Sequence, residues 1–399
     1  MDAVLNHTGP VTQEDPVWPA DWVRTEPPCA FQDYKSTTAC TLVANLPDIL
    51  TESIAAVELP DALLAKWKAE GRLSQELDEL QLFFDRTGYP RAPRYYIIKW
   101  LTDYVNDLGI DGFRVDTAKH ADEIAWSELY TQASFAFESW KKRHPDQTLD
   151  QTPFYMVGEV YGYGISGGRD YNFGDRKVDY FEYGFNSLIN FELKSDASLP
   201  YEEIFGKYSK HLYNDFRGKG FMNYLSSHDD GSPFDPERKN ALRAANVLLF
   251  TPGTAQLYYG DESSRLLSAL GAVGDANLRS FMNWDDIDSV DQTKNTLLHW
   301  QKLGQFRKRH PAVGAGKHKM LTSKPYVFSR TYNEGEYRDK VVAGLDLKPG
   351  KKTISLRGFF GDGTSVLDYY SNTLAVVKNG KVELDTPFST VLIEAALAE

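Results

Sequence analysis

The segment Gly112-Phe113-Arg114-Val115-Asp116-Thr117-Ala118-Lys119-His120 sets a guanidinium, a carboxylate, an amine and an imidazole on one short stretch of backbone. Its apolar approach reads as a β-strand, and a strand ending on such groups suits catalysis at the mouth of a parallel β/α barrel. Three more strand-like stretches end the same way. They are Met1-Asp2-Ala3-Val4-Leu5-Asn6-His7, Phe154-Tyr155-Met156-Val157-Gly158-Glu159 and Phe221-Met222-Asn223-Tyr224-Leu225-Ser226-Ser227-His228-Asp229. A single carboxylate of this kind is as readily half of a structural ion pair. Asp116 and Glu159 together offer nucleophilic and acid–base chemistry, divided between them by their surroundings. Arg114, two residues from Asp116 on the same strand face, should keep that carboxylate ionised. Glu159 follows the apolar run Met156-Val157-Gly158, which should hold it protonated.

The elements that position these groups alternate between strand and helix, as in a parallel β/α architecture. Residues 1–7 read as a short buried strand. Residues 8–88 show no clean period, which suits a long excursion from a barrel. Between Pro90 and Gly109 the pattern is helical, with Ile97, Ile98, Leu101, Val105 and Leu108 on one face. Strand 110–116, helix 122–143 and strand 154–160 follow, then a strand from Val178 to Phe185 and helices to about Phe216. Strand 221–227 precedes a helix opened by Asp235-Pro236-Glu237, an N-cap with proline behind it. Strand 255–259 and a helix over 293–308 complete this section. Past His310-Pro311, short alternating runs separated by Lys348-Pro349-Gly350 and Lys378-Asn379-Gly380 predict antiparallel strands.

The chain has 399 residues, enough for a barrel of roughly 250 residues with accessory domains. A net charge of −12 argues against nucleic acid, which requires a basic surface. No run of apolar residues is long enough to predict a membrane span. The 23 Tyr, 22 Phe and 8 Trp exceed what a core alone requires, and sugar C–H faces stacking on rings are one outlet for the surplus. Cys29 and Cys40, if paired, would close a short loop and contribute about 3 kcal/mol; two free buried thiols are the alternative.

In order and content, the four strand-end stretches resemble the conserved segments of the α-amylase family of glycoside hydrolases (family 13). Leu46-Pro47-Asp48 resembles the short signature of that family's loop domain. Gly253-Thr254-Ala255-Gln256-Leu257-Tyr258-Tyr259-Gly260-Asp261-Glu262 is similar to its last barrel strand. The resemblance implies a (β/α)8-type TIM barrel, N-terminally truncated, with an inserted loop domain and a C-terminal antiparallel β-sandwich. Its bounds would be 1–10 for the first strand present (the family's third), 11–88 for the loop domain, 89–311 for the remaining barrel and 312–399 for the sandwich.

The resemblance further implies retaining, endo-acting hydrolysis of α-1,4-glucosidic bonds in starch, glycogen or maltooligosaccharides. Asp116 would be the nucleophile, Glu159 the general acid/base and Asp229 the third carboxylate of the site. His7 and His228 would bond the sugar before the cleaved bond, and Lys119 and His120 the sugar after it. Arg114 belongs with the substrate-binding set, with Asp2 orienting it. Asn6, Asp48 and the backbone carbonyl of His120 match ligands of Ca2+, oxygen donors from distant segments that suit this ion. Family precedent also favours a Cys29–Cys40 disulfide.

The family's aromatic platform from the loop after its second strand has no counterpart here, and Tyr161 and Tyr163 are the nearby rings. A glucanotransferase using the same trio, or a glucan-binding relic, are the alternatives. Two β/α units expected before Met1 are missing, so a second copy covering the gap, a homodimer, is expected. Relatives of this family are usually secreted or periplasmic, whereas the chain shows no secretory signal pattern.

Overall fold

The computed structural model describes residues 1–9, 12, 14–16 and 18–396. The chain forms two compact units, one of Met1–Tyr163 with Arg169–Ile189, the other of Gly164–Gly168 with Asn190–Glu399. This division runs through the predicted barrel section.

In the first unit, strands Asp2–Ala3, Gly112–Val115, Tyr155–Gly158 and Ser187–Asn190, the last but for its final residue, lie side by side in that order, all parallel. Asp2 pairs with Arg114, Ala3 with Val115, and Val115 with Gly158, so the three strand ends come level. Phe113 and Val115 are buried, while Arg114 projects from the opposite face of the pleat. Gly158 has a steric reason: a Cβ there would sit 2.7 Å from the Phe185 ring. A larger residue at this position would have to force the Phe185 ring aside.

Helix Pro93–Leu108 starts on proline and stops at Gly109, whose φ is 67°. Its buried face differs from the predicted one, taking in Tyr95, Tyr96, Ile98 and Val105, while Leu108 is exposed. The cause is the loop-borne Trp22, which is fully buried and lies 5.0 Å from the Tyr96 ring. Helix Glu123–Arg143 is capped by Asp122, whose side chain accepts from the Ile124 N–H at 2.9 Å.

Two helices, Asp61–Ala69 and Leu73–Thr87, occupy the stretch in which the sequence shows no clean period. The strand after Glu159 is Ser187–Asn190, later than predicted. Lys177–Asp179 instead pairs antiparallel with Asp170–Asn172 as a small hairpin.

In the second unit, strands Gly220–Asn223 and Thr254–Ala255 are parallel neighbours. The helix predicted to open at Asp235-Pro236-Glu237 begins at Ala241. Asp235 instead has a left-handed backbone (φ 52°), and its carboxylate accepts from the N–H groups of Lys239 and Asn240, closing a turn ahead of the helix. Helix Asp291–Arg309 leads to the C-terminal strands. Six of these form a sheet in the order 317–323, 326–334, 337–345, 391–395, 365–368, 373–376, and strands 350–355 and 381–386 form a second, two-stranded sheet. Val342, Ile354, Val366, Val382, Leu384 and Ile393 are buried in one core, the packing of a sandwich.

Candidate active site

The level strand ends of the first unit bring Asp2, Arg114, Asp116 and Glu159 together. Arg114 is the hub. Its Nη1 donates to Asp2 Oδ1 at 3.0 Å and to Asp116 Oδ1 at 2.5 Å, and its Nη2 lies 2.9 Å from Glu159 Oε1. Burial works against the guanidinium charge, but Glu159, Asp2 and Asp116 outweigh it and raise the Arg114 pKa. Asp2 thus makes the contact with Arg114 that its expected orienting role requires. The apolar setting expected for Glu159 holds only in part, because the residue is 5% exposed yet shares the guanidinium with Asp116.

The backbone completes the grip on Glu159. Thr117 takes a left-handed conformation (φ 48°), seldom adopted by a β-branched residue, and its N–H donates to Glu159 Oε2 at 2.9 Å. Strain of this sort, beside a carboxylate, is a mark of functional sites.

His7 lies within electrostatic reach of Asp116, and burial lowers its pKa. Burial first, then the charge of Lys119, lowers the His120 pKa to about 4, so this ring is neutral at ordinary pH. Lys119 is buried as well, not solvated on the surface. Its Nζ donates to the Tyr161 carbonyl at 2.9 Å and to the Tyr171 hydroxyl at 3.3 Å. It also lies 5.4–5.7 Å from the centres of the Tyr161, Tyr171 and Phe31 rings. Tyr161 remains exposed, whereas Tyr163 is buried and offers no stacking face. Phe31 and Tyr171 carry no catalytic signature in sequence, and only the fold reveals their part.

Asn6 and Asp48 are both buried, and Asn6 Nδ2 donates to Asp48 Oδ2 at 3.1 Å. Burial pushes the Asp48 carboxyl up to about 6. The implied calcium ion finds two adjacent buried side chains of oxygen-donor type here, and a desolvated carboxylate that a hard cation would suit. Among the described residues no group of three His, Cys, Asp or Glu forms a metal cluster, so backbone carbonyls would have to complete the shell. Cys29 and Cys40 are joined in a disulfide.

In the second unit, Asp229 is paired with His228 (Nε2 to Oδ2, 3.3 Å) and accepts from Ser227 Oγ at 3.0 Å. Its neighbour Asp230 is engaged otherwise, by Lys194, the Tyr224 hydroxyl and the Ser232 N–H. The side chain of Asp229 is 29% exposed and that of Asp230 3%, so Asp229 is the more accessible of the two carboxylates.

No family model matches the chain. The periplasmic alpha-amylase of Escherichia coli (strain K12) is 36% identical over 334 residues, 82% of this chain and 44% of that protein. The alpha-amylase of Streptomyces lividans is 27% identical over 341 residues, 73% of this chain and 34% of that one. The cyclomaltodextrin glucanotransferase of Geobacillus stearothermophilus is 25% identical over 316 residues, 72% of this chain and 38% of that enzyme. The chain thus spans less than half the length of these relatives.

Among solved structures, an Anoxybacillus alpha-amylase matches with a TM-score of 0.64 at 17% identity, covering 100% of this chain and 76% of that one. The acarbose complex of an alpha-amylase from Geobacillus thermoleovorans matches with a TM-score of 0.63 at 16% identity, covering 99% and 77%. These likenesses establish a TIM-type β/α barrel with a C-terminal antiparallel domain. With those relatives, the chain belongs to the α-amylase family of glycoside hydrolases.

Proposed function

We propose that the chain hydrolyses internal α-1,4-glucosidic bonds of starch, glycogen or maltooligosaccharides with retention of configuration. Asp116 attacks the anomeric carbon while Glu159 protonates the departing glycosidic oxygen, giving a covalent glycosyl-enzyme. Glu159 then takes a proton from water, whose oxygen displaces Asp116 and restores both groups. Asp229 holds sugar hydroxyls, His7 and His228 bond the same ring, and Lys119 and His120 bond the ring beyond the cleaved bond. The observation that carries this reading is the single guanidinium of Arg114 bridging Asp116 and Glu159. Carboxylates held so close suit retention, for which roughly 5–5.5 Å is required.

Glu159→Gln should lower turnover on starch on the order of 10²–10⁴-fold with an unchanged melting temperature. A rate near that of the parent would remove Glu159 from its role. A sugar acceptor in place of water would make the chain a glucanotransferase, a second reading that its likeness to a cyclomaltodextrin glucanotransferase supports. Chromatography of maltoheptaose digests separates the two, since transfer yields products longer than the substrate.

The same reading includes Ca2+ held by Asn6, Asp48 and the His120 carbonyl, where the ion would neutralise the buried carboxylate and tie the N-terminal strand to the 41–60 segment. At a free concentration of about 100 times its Kd it should stabilise the fold by about 2.7 kcal/mol, a gain that Asp48→Ala abolishes. An unchanged melting temperature on chelation would dismiss the site. The edge strand Asp2–Ala3 is paired on one side only among the described residues, and in the isolated chain a second copy covers it, as light-scattering mass can check. The disulfide supports an oxidising compartment.

A further inference from the structure

The loop closed by Cys29 and Cys40 touches both residues assigned to the sugar beyond the cleaved bond, and it does so through groups with no chemistry of their own. The Thr37 carbonyl lies 3.1 Å from His120 Nδ1. A carbonyl only accepts, so Nδ1 carries the proton. Phe31 meets the His120 ring edge-on, with centres 5.8 Å apart, and is one of the three rings around the Lys119 ammonium.

Phe31 itself is unusual. It is 55% exposed and holds a left-handed backbone at φ 55°, so neither burial nor backbone preference accounts for it. The loop is also anchored from outside. The Tyr34 N–H donates to Asp175 at 2.9 Å, its hydroxyl bonds Glu123, and the Arg176 guanidinium lies 4.1 Å from its ring centre. Asp175 and Arg176 sit in the turn of the 170–179 hairpin, whose Tyr171 completes the contacts to Lys119.

We propose that the disulfide-closed loop 29–40 is a positioning element for this sugar subsite. It holds the His120 ring through the Nδ1–H that meets the Thr37 carbonyl, and with Tyr161 and Tyr171 it holds the Lys119 ammonium in place. This deepens the glucan-hydrolase reading and rests on it for the identity of the ligand, though not for the tautomer.

The test uses the full chain at saturating calcium, with the Cys29→Ser/Cys40→Ser double variant and, should that variant not fold, Phe31→Ala. Nitrogen NMR of histidine-labelled protein, with His120 assigned through His120→Ala, should show one Nδ1-protonated tautomer in the parent and a tautomer mixture in the double variant. The KM for maltoheptaose should rise roughly three- to tenfold in either variant, with kcat changing less than about twofold, since the carboxylates keep their partners. An unchanged tautomer together with an unchanged KM overturns the positioning role. A shifted tautomer with His120→Ala leaving KM unaltered upholds the positioning but removes glucan as the ligand at this subsite.

Discussion

Arg114 is the residue on which the site turns, because one planar fork serves three carboxylates from three neighbouring strands. A lysine has one charged nitrogen and cannot span Asp116 and Glu159 at once with the same geometry. Arg114→Lys should therefore lower kcat by about 10²-fold, the order of loss seen when one preorganised electrostatic contact is removed, while KM moves little. Steady-state kinetics on maltoheptaose decides it, and a kcat within about twofold of the parent would reduce Arg114 to a bystander. The charged residues at the strand ends were legible in sequence because their types and spacing are themselves the chemistry. The ring contacts of Lys119 were not. Phe31, Tyr161 and Tyr171 come from three separate loop segments, and no local period links an exposed phenylalanine to a lysine far along the chain. Asp229 was named from sequence, whereas the ties of its neighbour Asp230 to Lys194 and Tyr224 were not legible there, since those partners come from separate segments.

Strand and helix alternation was readable wherever one face of an element is broadly apolar, as in Glu123–Arg143. It failed in Leu73–Thr87, where only Leu80, Phe83 and Phe84 are buried and the other leucines are scattered among polar and charged residues, a stripe too narrow to stand out. It failed again at Ser187–Asn190, a strand buried at every position, whose sequence has no alternation to detect. The end of helix Asp291–Arg309 carries a pH-dependent tie of its own. His310 Nδ1 lies 2.8 Å from Asp339 and Nε2 2.5 Å from Glu394, which Arg309 also meets at 2.7 Å. Burial works against the imidazolium, but the bonds to Asp339 and Glu394 prevail and raise its pKa; Asp339, pushed up by burial, is lowered in net by the His310 bond and the Ala312 N–H. A raised histidine contributes stability in full below its unfolded value of about 6.5 and loses it as pH climbs through the folded value. A depressed aspartate contributes above its unfolded value and loses that as pH falls. The melting temperature should accordingly decline on the alkaline side of about 6.5, and His310→Gln should flatten that limb. Scanning calorimetry across pH reads both, and an alkaline limb unchanged by the substitution would exclude His310 as its source.

At the scale of the molecule, a net charge of −12 surrounds a site proposed to take an uncharged polymer. The two facts are compatible only if recognition runs through hydroxyl hydrogen bonds and ring faces, because an acidic surface neither attracts nor repels a neutral glucan over distance. The ion pairs that shape the site are short and partly buried, so salt screens them weakly, whereas fields between exposed charges are largely screened beyond about 8 Å at physiological ionic strength. The KM for maltoheptaose should therefore stay within about twofold from roughly 50 to 500 mM potassium chloride at fixed calcium. A charged ligand behaves otherwise, since polyanion binding weakens by orders of magnitude over a comparable range. Initial rates at several salt concentrations settle the matter: a steep rise or fall in KM would mean that the substrate carries charge, and would displace neutral glucan from the site built around Asp116 and Glu159.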